Sequence, residues 1–106
     1  MTRDPRDRLA YFAALAADSS DDPRARFGYA NELLRVEKYE DAVRELRAYL
    51  DLTEDEGNAW GRLGEALAVL GRPDEAADAY LAGIDQAIAH GHTGMASDFH
   101  EALEAL

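Results

Sequence analysis

Displaced by 34 residues, this chain matches itself, and that internal period constrains its fold more than any other feature. Tyr39-Glu40-Asp41-Ala42 returns as Pro73-Asp74-Glu75-Ala76, while Leu33, Leu46 and Leu50 return as Leu67, Tyr80 and Ile84. A fixed period long enough for two helices and a turn marks a stacked array in which no unit buries its own apolar face. Neighbouring copies must then supply the missing core.

The punctuation within each copy is helical. Asp4-Pro5 and Asp22-Pro23 each read as an Asp N-cap followed by Pro at the first helical position, where a missing N–H costs nothing. Thr53-Glu54-Asp55-Glu56 has the pattern of a capping box. Gly71-Arg72-Pro73 stops one helix and starts the next, and Gly91 with Thr93 repeats the device. No segment alternates with period two over strand length, so no strand is expected. The chain therefore reads as all-α, with about six helices near 4–18, 23–36, 39–52, 54–70, 73–90 and 93–105. Each has an amphipathic stripe, such as Leu9, Phe12, Ala13 and Ala16 on the first and Ala42, Leu46, Tyr49 and Leu50 on the third. Linkers of a few residues force sequential helices to run antiparallel.

Composition sets the limits. A chain of 106 residues suits one domain that buries roughly 65% of its unfolded surface. Apolar residues make up 47%, too many for a disordered acidic chain, so the net charge of −11 sits on a folded object. That charge argues against nucleic acid or an anionic membrane as partner. The absence of Cys removes disulfides, thiolate metal sites and a Cys nucleophile. The longest apolar run, Leu9 to Ala17, is half of what a membrane span needs, and Asp4 and Asp7 spoil a signal-peptide reading. A soluble cytoplasmic protein is expected.

The second copy, 57–90, reads Trp60-x2-Leu63-Gly64-x2-Leu67 and then Ala76-x3-Tyr80. This resembles the tetratricopeptide repeat (TPR) family, whose pattern is W-x2-L-G-x2-Y, then A-x3-F, then P. Leu67 stands at the tyrosine position and Ile88 at the proline position. The first copy, 23–56, is weaker, with Arg26 at the Trp position and Tyr29-Ala30, Leu33, Ala42 and Leu46 at the others. One period before Val43 and Leu46 stand Leu9 and Phe12, so 4–18 reads as the second helix of a truncated copy. Met95, Phe99, Leu103 and Leu106 make 93–105 a capping helix. The resemblance implies a single domain over 1–106, its hairpins stacked as a short right-handed superhelix.

It further implies a scaffold that holds a partner's peptide in a concave groove lined by the first helix of each hairpin. Carried across, the family's groove positions fall on Arg24, Phe27, Gly28, Asn31, Leu34 and Arg35, and on Asn58, Gly61, Arg62, Glu65, Ala68 and Val69. Three Arg against one Glu make this face basic on an acidic chain, which suits an acidic or carboxylate-terminated segment. The alternative is a structural self-association module, a weak homodimer through the terminal helices with no peptide ligand.

Chemistry has little foothold. His90-Gly91-His92 and His100-Glu101 approach metal-binding patterns, but Glu104 stands where H-E-x-x-H needs its second His, so no metal or other cofactor is expected. No nucleophile motif or phosphate-binding glycine loop occurs, and no catalytic residue is assigned.

Overall fold

The computed structural model describes residues 5–106. It contains six α-helices: α1 (Pro5–Asp18), α2 (Pro23–Arg35), α3 (Tyr39–Leu52), α4 (Asn58–Val69), α5 (Pro73–Ala89) and α6 (Thr93–Glu104). Among the described residues there is no strand. The cap expected at Asp4 lies outside them. These residues cluster into two compact units that divide between Thr53 and Glu54.

In the first unit α2 packs on both α1 and α3. Asp22 caps α2 as its sequence implies, its carboxylate accepting from the Arg24 N–H at 2.9 Å. Ala30, Leu33, Ala42 and Leu46 are fully buried. Phe12 of α1 lies against Gly28, where an added Cβ would stand 3.1 Å from the ring. In the second unit α5 packs on α4 and α6. Leu63, Leu67, Ala76 and Ala87 form its core, with Tyr80 nearly closed over. Gly64 admits the Tyr80 ring, which a Cβ there would meet at 2.9 Å. Small residues on one helix thus seat large ones on the next, as the repeat pattern requires.

The turns inside the two hairpins are built alike. Lys38 N–H donates to the Leu33 carbonyl at 2.9 Å, and 34 residues later Arg72 N–H donates to Leu67 at 2.9 Å. Both are Schellman closures, which need one residue in the left-handed region. Gly71 fills that place at φ 73°, and Glu37 fills the other at φ 62°.

One expected boundary moves. The fourth helix begins at Asn58 rather than 54, so Thr53–Glu56 is not its capping box. Thr53 is extended and closes α3, its N–H donating to Tyr49. Asp55, almost buried, does the capping instead: its Oδ1 accepts from the N–H groups of Gly57 and Ala59, both at 2.9 Å. Gly57, at φ 124°, makes the sharp entry that lets it do so.

Candidate functional site: the first-helix faces

The face of α2 divides into a stacked part, an open part and a closed part. Phe27 stacks on Tyr49 of α3, ring centroids 4.8 Å apart. The Arg24 side chain is almost wholly exposed, its Nε 3.6 Å from Asp22 Oδ1. Asn31 and Leu34 are half-buried, and the Asn31 Oδ1 is enclosed with no hydrogen-bond partner. Arg35 is engaged: its Nε and Nη2 donate to Glu32 Oε2 at 2.9 and 2.8 Å. Glu32 is itself buried, and Arg8 of α1 donates to its other oxygen at 3.1 and 2.6 Å. The Arg35 hydrogen bonds, seconded by those of Arg8, hold the Glu32 carboxyl below the ordinary carboxylate range despite its burial.

The face of α4 opens on a cleft of about 320 Å³ inside the second unit. Asn58, Gly61, Arg62 and Glu65 form its α4 wall; Tyr80, Phe99 and Ala102 form the rest. Asn58, Arg62 and Glu65 are exposed, and Gly61 is buried beneath Phe99. Phe99 and Tyr80 have ring centroids 6.0 Å apart. Burial first, then the charge of Glu65, push the Tyr80 hydroxyl above its usual range, so it stays a donor. Val69 lies further along α4, exposed and outside this cleft.

A tetratricopeptide repeat sequence profile matches residues 30–90, more than half of the chain. The chain belongs to the tetratricopeptide repeat family. No curated protein matches it. Its fold is similar to that of PcrH, solved in complex with the chaperone binding region of PopD. That likeness has a TM-score of 0.86 at 22% identity, over 95% of this chain and 77% of that one.

The TPR register also explains two of the three cleft residues that the groove assignment omitted; the third, Tyr80, comes from the second helix of the hairpin. Phe99 and Ala102 stand one period after Glu65 and Ala68, so they occupy groove positions of a third, incomplete copy. Extending the count by one period would have found them; reading α6 as a cap concealed it. Glu32 was missed for another reason. Its pairing with Arg35 is a visible i,i+3 contact, whereas its pairing with Arg8 spans 24 residues.

The histidines lie elsewhere. His92 Nε2 is 2.6 Å from Glu56 Oε1, and this hydrogen bond holds the Glu56 carboxyl below its usual range, with help from the charge of His90. His90 Nδ1 lies 2.9 Å from the Gln86 carbonyl, and His100 lies 3.2 Å from Glu104. Among the described residues no three His, Asp or Glu side chains converge on one point.

Proposed function

We propose that this TPR chain is a non-catalytic cytoplasmic scaffold that holds an extended segment of a partner protein on its first-helix faces. The segment is acidic or ends in a carboxylate. The observation that carries this reading is the α4 cleft, where a guanidinium, an amide and an aromatic floor share about 320 Å³. Arg62 offers a planar fork to a carboxylate, and Asn58 can donate to and accept from a peptide backbone. Phe99, Tyr80 and Ala102 give apolar footing, and Glu65 can accept from a backbone N–H. On α2, Arg24 supplies an exposed cation, Phe27 a ring stacked on Tyr49, and Leu34 apolar surface. Arg35 contributes less charge there, because Glu32 engages it. Membership of a family of interaction modules supports the reading, as does PcrH, which was solved holding a region of PopD. The chain's charge of −11 speaks against nucleic acid as the ligand, and no described helix is long and apolar enough to cross a membrane.

Fluorescence polarisation with three labelled decapeptides tests this: acidic with a free C-terminus, the same sequence amidated, and a neutral analogue. The free acidic peptide should bind at least about tenfold tighter than the neutral one, the worth of one charge-assisted bond. Arg24→Glu with Arg62→Glu should remove that preference while helicity is unchanged. Equal binding of all three peptides, or an unaltered preference in the double variant, counts against the reading.

A further inference from the structure

Tyr80 stands where the family pattern carries Phe, so its hydroxyl is one polar atom more than the helix seat requires. Leu46, one period earlier, holds that place with an apolar side chain and is fully buried. Phe12, one period before Leu46, holds it with a bare ring against Gly28. Gly64 shows how the Tyr80 ring is seated. An added Cβ there would stand 2.9 Å from Cε1 and 2.9 Å from Cζ, the carbon that bears the hydroxyl. The phenolic edge of the ring therefore meets α4 at the residue just before Glu65.

This hydroxyl is not spent on the fold. Among the described residues it has no hydrogen-bond partner, and it is not sealed from solvent. Tyr80 is 7% exposed and lines the α4 cleft together with Glu65. A phenol that has given up most of its water is costly until something accepts from it. The charge of Glu65 reaches the hydroxyl and decides what that acceptor is. A ligand carboxylate placed there would be repelled by Glu65, so the acceptor that suits Tyr80 is neutral. A donor and an acceptor side by side match the C=O and N–H that one residue of an extended chain shows along the same edge.

We infer that Tyr80 is a ligand-binding residue: its hydroxyl donates to a backbone carbonyl of the bound segment, while Glu65 accepts the N–H of the same ligand residue. This role rests on the α4 cleft being a peptide site. Within that site the work is divided. Arg62 selects the acid, and the Tyr80–Glu65 pair holds the main chain whatever its side chains are. An extended segment is thereby preferred over a helical one, whose N–H and C=O groups are already paired.

Tyr80→Phe removes one oxygen and keeps the ring that the family pattern carries. The ligand-free variant should melt at or above the temperature of the parent chain, because no internal hydrogen bond is lost. A lower melting temperature places the hydroxyl in the fold and overturns the inference. In fluorescence polarisation with the free acidic and the neutral decapeptide, the variant should lose about fivefold in affinity for each, the worth of one neutral hydrogen bond. The ratio between the two peptides should stay that of the parent chain. Unchanged affinity for both, or a loss confined to the acidic peptide, overturns the inference. If the parent chain binds both peptides equally, the acidic preference fails, yet a fivefold loss for each still supports the Tyr80 assignment. A parent chain that binds neither peptide overturns both.

Discussion

Phe99 of α6 lies over Gly61 of α4, its ring filling the volume that a Cβ at position 61 would need. The same ring is a wall of the α4 cleft, so one contact both docks α6 and shapes that cleft.

Gly61→Ala should therefore destabilise the second unit. Overpacking against a rigid ring costs about 1–3 kcal/mol, and the better helix propensity of Ala returns up to ~1 kcal/mol. The net loss should be about 1–2 kcal/mol in urea unfolding. In a Phe99→Leu background the same substitution should cost much less, because the ring it strikes is gone.

Glu37 offers the opposite sign. It holds a left-handed conformation that its counterpart Gly71 adopts without strain. Glu37→Gly should raise stability by about 0.5–1 kcal/mol, seen as a higher melting temperature. A lower one would mean that the Glu37 side chain contributes more than its backbone costs.

Asp55 caps α4 through two backbone N–H groups. Asp55→Ala should cost about 1–2 kcal/mol, whereas Asp55→Asn should retain most of that, because the amide oxygen still accepts. Thermal denaturation of the three chains side by side decides it.

Glu32 ties acid stability to the first unit. Its pKa is lowered from the ordinary 4.5, chiefly by Arg35. Its contribution is therefore complete above that value and is lost as pH falls through the lowered one. Glu32→Gln should cost about 2 kcal/mol at pH 7, the worth of charge-assisted bonds to a buried acceptor. The gap between the two chains should narrow as pH falls below the ordinary carboxylate range and the native carboxylate is protonated. Urea unfolding at a series of pH values measures it; a gap independent of pH would remove Glu32 from the acid response.

The number and type of helices were legible from the residues alone. So were the cap at Asp22, the stop at Gly71 and the core pair Leu33 and Leu67. Each depends on neighbours within a turn or two, or on a period that repeats whatever the helices pack against. The cleft was half legible: the family register named Asn58, Arg62 and Glu65, and one more period would have named Phe99. Asp55 was hidden because Thr53 offered an equally good local cap, and the sharp turn at Gly57 selects between them.

What the sequence determined by itself is therefore the repeat, the all-α class and the face each helix presents. Tertiary structure alone decided that Arg8 of α1 joins Glu32 from 24 residues away, and that Phe99 closes over Gly61. Such pairings depend on how one helix seats on another. That is set by side-chain volume and desolvation at the contact, which no local pattern records.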